Sequence, residues 1–192
     1  MTWDDQANDC TMRRNVSFVS LDLLSSPECD ALIDALRRSS EEQAPVYGLG
    51  ERAVVNPLAR RTTRLMAPPE TCHAVSSIFE RLRQTLSDEF EVSLSRFEAP
   101  QFLRYTAGDY FVAHQDGNTP IIVDDSRHRR VSLILFLSDA ASYSGGDLVF
   151  HGRPPEVVSA RRGSAVAFRS ELTHEVTPLT GGERFTVVTW YR

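Results

Sequence analysis

The sequence predicts an α+β fold that is mainly β: a core of two packed sheets, of sandwich or jelly-roll type, carried by helices in the N-terminal half. Three observations lead there. Two helix-type patterns come first in the chain, in "SSPECDALIDALRRSSEE" and over about residues 69–89. From residue 97 the pattern changes to about eight short β-rich stretches, separated by Gly, Asp, Ser or Pro turns at the spacing of a sandwich or jelly roll. No internal repeat or low-complexity tract interrupts the 192 residues, a length that suits one domain.

Taken in order, residues 1–14 read as a flexible tail. In the first helix Ser26 can cap, Pro27 suits the first turn, and Glu28 sits near the positive end. Cys29, Leu32, Ile33 and Leu36 follow at helical spacing. Residues 43–59 hold two prolines and two glycines and read as an irregular excursion. The second helix, Pro69 to Glu89, buries Val75, Ile78, Phe79, Leu82 and Leu86. The strands are expected in "RFEAPQFLRY", "DYFVAHQD", "RRVSLILFLSD", "GGDLVFHG", "PEVVSA", "GSAVAFRS", "LTHEVTPL" and "RFTVVTWYR". The expected layout is one domain over 15–192, with helical support over about 15–96 and the β core over about 97–192.

Composition narrows the function. Apolar residues make up 41%, enough for a substantial core, and the net charge of −5 offers no basic excess for nucleic acid. No apolar run approaches the roughly 18 residues that span a membrane, and the acidic start "MTWDDQANDC" is unlike a signal peptide. The expectation is a cytoplasmic protein without nucleic-acid or membrane partners. Cys10, Cys29 and Cys72 form no CxxC pair, which argues against a disulfide framework or a cysteine zinc site. All 21 basic residues are arginine. Schiff-base chemistry and the phosphate-loop lysine are thereby excluded, and any cation that grips a carboxylate is an arginine.

The stretch "FVAHQDG", 111–117, places His114 and Asp116 two apart, on one face of a strand. An imidazole and a carboxylate side by side suit a divalent metal, and equally a buried ion pair. Of the five histidines, His73 lies on the second helix, His128 in the polar loop "DDSRHRR", and His151 on the opposite strand face from Phe150. His174, in "ELTHEVTP", opens a late strand. Two histidines and a carboxylate from a β-barrel make the facial triad of non-haem Fe(II) oxygenases, which leaves about three positions for a bidentate 2-oxo acid and dioxygen. The distal carboxylate of such a co-substrate needs an anchor. Arg184, ten residues after His174, offers a guanidinium for bidentate pairing, and Tyr105 a phenol. If Gly181 and Gly182 formed a two-residue hairpin turn, His174 and Arg184 would point to opposite faces. An odd loop, or a bulge near Pro178, is therefore expected.

The combination "RYTAGDYFVAHQDG", "RRVSLILFLSD", "SGGDLVF" and "GSAVAFRSELTHEVTPLTGGERFTVVTWYR" resembles the iron- and 2-oxoglutarate-dependent dioxygenases of the prolyl 4-hydroxylase superfamily over about residues 97–192. "LARRTTRL" (58–65) resembles that family's early core strand. The resemblance implies a double-stranded β-helix, cupin-like core. It implies that His114, Asp116 and His174 bind Fe(II), that Arg184 anchors 2-oxoglutarate, and that Tyr105 and Thr186 assist. Dioxygen is the oxidant, and ascorbate joins the implied cofactors. Phe136 stands where some relatives have a tyrosine, removing one donor. Trp190 forms a wall of the site or part of the core. With Asp116 present, hydroxylation is implied over halogenation, since related halogenases lack the carboxylate. The implied substrate is a peptidyl proline or related residue. A free amino acid or natural-product small molecule competes with it, and segment 43–59 reads as a substrate-closing loop or as a plain surface excursion. A zinc hydrolase or a non-catalytic metal-binding module is the alternative class; zinc hydrolysis needs a nearby general base and has no use for Arg184.

Overall fold

The computed structural model describes residues 18–46, 55–120, 122–159 and 161–192. The expected tail, 1–14, and the middle of the excursion, 47–54, lie outside the described residues. In chain order the elements are β1 (Phe18–Asp22), α1 (Ser26–Arg37), β2 (Ser40–Gln43), β3 (Arg60–Arg61), β4 (Thr63–Met66), α2 (Pro69–Glu89), β5 (Gln101–Tyr105), β6 (Tyr110–His114) and β7 (Val131–Phe136). There follow β8 (Tyr143–Gly145), β9 (Leu148–Phe150), β10 (Glu156–Val157), β11 (Ser164–Arg169), β12 (His174–Val176), β13 (Leu179–Gly182) and β14 (Arg184–Tyr191). A seven-stranded sheet runs β1-β11-β7-β14-β5-β4-β2, and a five-stranded sheet runs β10-β9-β12-β6-β3. The pair β13-β8 stands apart from both.

Alternation along the strands of the large sheet builds two cores at once. Leu133, Leu135, Ala165, Ala167, Phe185 and Val187 face the helices, where they meet Val75, Phe79 and Leu86 of α2 and Cys29 and Leu36 of α1. The intervening residues Ile134, Phe136, Val166, Phe168, Val188 and Trp190 face the small sheet and meet Leu148, Phe150 and Val176. Both faces are covered, so every residue of β7 and β14 is buried, and β7 (VSLILF) reads as an apolar run broken only by Ser132. The N-terminus of α1 is capped one residue earlier than expected. The Ser25 amide and hydroxyl both donate to the Glu28 carboxylate, at 2.7 and 2.6 Å.

The structure departs from the sequence reading in two places. The N-terminal half supplies strands as well as helices: β1, β2 and β4 extend the large sheet and β3 the small one. β3 and β4 fall where "LARRTTRL" (58–65) resembles the family's early core strand, whereas β1 and β2, five and four residues long, are too short for periodicity to reveal. Nor does a hairpin join His174 to Arg184. β12 belongs to the small sheet and β14 to the large one, while β13 between them pairs with β8, with a register shift between Leu179 and Gly181. The two-residue-turn geometry therefore does not arise, and the two side chains can share a space by facing each other from opposite sheets.

Candidate metal centre and its cavity

Two strands set the histidines. β6 and β12 are antiparallel neighbours, and His114 and His174 are directly opposed across them. Each ring is fixed in the same way. The Nδ1 of His114 lies 2.8 Å from the Val112 carbonyl, and the Nδ1 of His174 lies 2.8 Å from the Leu172 carbonyl. A carbonyl can only accept, so each Nδ1 carries the proton and each Nε2 presents its lone pair. Asp116 lies just beyond β6. The amides of Asp116 and Gly117 both donate to the Ser170 carbonyl, at 2.9 and 3.1 Å. Gly117 lets this turn close, because a Cβ there would stand 2.3 Å from the Ser126 carbonyl oxygen and 2.7 Å from the Arg129 Cβ.

The carboxylate sits between the imidazoles. His114 Nε2 is 3.6 Å from Asp116 Oδ1, and His174 Nε2 is 3.6 Å from Oδ2. Ligand atoms from the three residues lie within 4.8 Å of one another. Oδ2 also accepts a 2.7 Å hydrogen bond from Ser132 Oγ, which in turn lies 3.0 Å from Ser170 Oγ. Burial alone would raise the Asp116 pKa. The His174 and His114 imidazoles and the Arg129 guanidinium outweigh it and hold the carboxyl below the usual range. Burial pushes His174 the other way, down to about 4 despite the neighbouring carboxylate. The trio presents two imidazole Nε2 atoms and one carboxylate, the donor set that suits Fe(II) or another divalent ion.

The facing sheet brings up the remaining candidates. Tyr105 on β5 is opposite Arg184 on β14, and Thr186 is opposite Phe136. Arg184 is 2% exposed, and its guanidinium carbon stands 5.2 Å from the Tyr105 ring centre and 5.3 Å from that of Phe136. Its Nε has no hydrogen-bond partner, and no ion pair to it occurs among the described residues. A buried guanidinium in that state suits a carboxylate ligand. The cleft between the sheets has an inner part of about 40 Å³ and an outer part of about 270 Å³, which share His114, Asp116, Arg60, Phe111 and Trp190 as walls. Tyr105 lines the inner part; Arg184 stands behind it, against its ring.

The structure thus brings together His114, Asp116 and His174, and places Tyr105, Thr186 and Arg184 on the sheet opposite. The remaining histidines stay apart: His73 and His128 are exposed, and His151 pairs with Glu175 at 3.4 Å. Trp190 is both core and wall, with the Arg129 guanidinium 3.8 Å above its ring. Sequence reasoning missed Ser132 and Ser170, which support the carboxylate. It also missed Arg60, whose signal was present: in the strand pair Arg60–Arg61, alternation must turn one arginine inward.

Residues 100–192 match the model of the 2OG-Fe(II) oxygenase superfamily. A PKHD-type hydroxylase of Shewanella oneidensis is 35% identical over 96 residues, covering 50% of this chain and 43% of that protein. The chain spans less than half the length of the first curated relatives it matches. Among solved structures, a Pseudomonas putida prolyl-4-hydroxylase superposes with a TM-score of 0.73 at 23% identity, covering 92% of both chains. A Trichoplax adhaerens prolyl hydroxylase, in complex with a hypoxia inducible factor peptide fragment, gives 0.73 at 16% identity, covering 91% of this chain and 83% of that one. With its HxD pair, distal histidine and facing arginine carried on a prolyl 4-hydroxylase-type double-stranded β-helix, the segment 100–192 belongs to the 2OG-Fe(II) oxygenase superfamily.

Proposed function

We propose that the chain is a 2-oxoglutarate-dependent hydroxylase of an aliphatic C–H bond, with His114, Asp116 and His174 as Fe(II) ligands. The convergence of two Nε2 lone pairs and one carboxylate within 4.8 Å carries the reading. When bound, Fe(II) supplies the redox chemistry through which dioxygen converts 2-oxoglutarate to succinate and carbon dioxide and the substrate C–H to C–OH. The chain's own residues do the positioning. The Val112 and Leu172 carbonyls hold the imidazoles, Ser132 holds the carboxylate, and Phe111 and Trp190 keep the cleft walls apolar.

Arg184 pairs with the distal carboxylate of 2-oxoglutarate, assisted by Tyr105 and Thr186 from the same sheet. Phe136 offers that carboxylate no hydroxyl, so the burden falls on the guanidinium. Ascorbate serves as an accessory cofactor. The substrate is a peptidyl proline or a related residue, a reading supported by the peptide-bound Trichoplax neighbour. A free amino acid or small natural product is the second reading, favoured by the modest size of the outer cleft, about 270 Å³. A zinc hydrolase would leave the buried Arg184 without a role.

Succinate release from 2-oxoglutarate, with Fe(II) and oxygen, tests the reaction. Wild type turns over slowly without substrate, and Arg184→Ala raises the KM for 2-oxoglutarate by about 100-fold, the loss of a bidentate charged pair. Equal KM values would contradict the anchoring role, and absence of succinate from the wild type would refute the reaction itself.

A further inference from the structure

We infer that Arg60 binds a carboxylate carried by the substrate, close to the carbon that is hydroxylated. This rests on the hydroxylase reading above and names the substrate chemistry of the same cleft. Four charged side chains line the outer cleft: Arg60, Asp116, Asp124 and Arg129. Three are engaged. Asp116 belongs to the metal centre. The Asp124 carboxylate accepts from the Ser126 amide and hydroxyl at 2.9 and 2.5 Å. Arg129 makes a two-pronged pair with Glu98, both bonds 2.7 Å.

Arg60 is different. It is 6% exposed, and among the described residues its guanidinium makes one hydrogen bond, from Nη1 to the Pro45 carbonyl at 3.1 Å. Its Nε has no partner, and no carboxylate pairs with it among the described residues. A buried guanidinium without a counter-ion is costly, and an anionic ligand relieves that cost. Its position says which ligand. The guanidinium carbon lies 4.8 Å above the Phe111 ring, and the other neighbour of that ring is the His114 imidazole, stacked with centres 3.5 Å apart. One phenyl ring therefore separates the cation from a metal ligand. Arg184, on the opposite sheet, is placed for the co-substrate, so the carboxylate at Arg60 comes from the second reactant.

Two sources carry this chemistry: the α-carboxylate of a free amino acid or C-terminal residue, and an acidic side chain beside the target within a peptide. The test uses the 192-residue chain with Fe(II) and 2-oxoglutarate, titrated calorimetrically under nitrogen so that no turnover occurs. The probes are free L-proline and L-prolinamide, a proline-terminated peptide as its acid and its amide, and an internal-proline peptide flanked by Asp or by Asn. In at least one of these pairs the acid form binds about 30-fold tighter than its neutral partner, and Arg60→Gln brings that ratio below about threefold. Arg60→Lys, which keeps the charge without the fork, retains an intermediate ratio. The pair that discriminates identifies the source.

Equal binding of acid and neutral forms by the wild type overturns the inference, as does binding of no probe. So does an Arg60→Gln protein that keeps the discrimination, or one whose only defect is a higher KM for 2-oxoglutarate. The wild-type comparison stands even if the variants fail to fold. Succinate release by the wild type without added substrate reports separately on the hydroxylase reading. Its absence sinks that reading, whereas its presence with no acid preference sinks only the role of Arg60.

Discussion

Ser132→Ala removes one oxygen from the support of the proposed metal centre and leaves its three proposed ligands in place. The hydroxyl donates to Asp116 Oδ2 at 2.7 Å from a position 1% exposed. A hydrogen bond to a charged group is worth about 1.5–3 kcal/mol when its partner cannot turn to water instead. That converts to a loss of about 10–100-fold in metal affinity, the range found when the groups supporting metal ligands are removed. Ser170→Ala should cost less, because Ser170 Oγ reaches the carboxylate only through Ser132. The assay is anaerobic competition for Fe(II), or for Co(II) as a spectroscopic substitute, against a chelating dye. The backbone of β7 stays paired to β11 and β14 on both sides, so the metal-free melting temperature should move little. Affinities within threefold of wild type for Ser132→Ala would refute the claim that this hydroxyl orients the ligand carboxylate.

Other expectations follow from neighbouring contacts. Glu98 accepts two bonds from Arg129, and two more from Arg192 at 3.0 and 2.6 Å, while the Arg129 side chain is only 5% exposed. Glu98→Ala takes the two-pronged carboxylate partner away from that buried guanidinium and should destabilise the fold by about 3 kcal/mol in urea unfolding, with a loss under 1 kcal/mol counting against it. At α1, Ser25 lowers the Glu28 pKa through its hydroxyl and amide hydrogen bonds. A folded-state value below the unfolded one adds stability above the usual carboxylate range, and that stability is lost as the pH falls. Ser25→Ala should therefore melt at a lower temperature than wild type at pH 7, with the gap narrowing toward pH 3; a gap independent of pH would contradict the linkage.

What the sequence made legible was whatever depends on short-range periodicity. The α2 stripe Val75, Phe79, Leu86 is spaced for one helix face, and all three are buried. His114 and Asp116 are two apart, at the end of β6 and just beyond it, and both reach the same centre. Pairings between elements were not legible in this way. The side-chain parity of His174 and Arg184 was reasoned along a single hairpin, but the chain changes sheets between them, and parity does not carry across such a change. β1 was invisible because its five residues alternate only weakly, and it is held as a strand by its pairing with β11, 142 or more residues along the chain.

Arg60 shows the same limit from the other side. Alternation says that one of two adjacent arginines points inward, but not what it meets there. Its surroundings are set by the β3–β6 pairing, which lays the guanidinium on Phe111 and so beside His114. A charge that local sequence would assign to the surface becomes a buried cation, with no carboxylate paired to it among the described residues, because of a contact some fifty residues away. Such a group is hard to retain for stability alone, since an apolar side chain of similar volume would fill the space without the desolvation cost. Its place beside the proposed metal centre is the reason to look to the substrate for a partner charge.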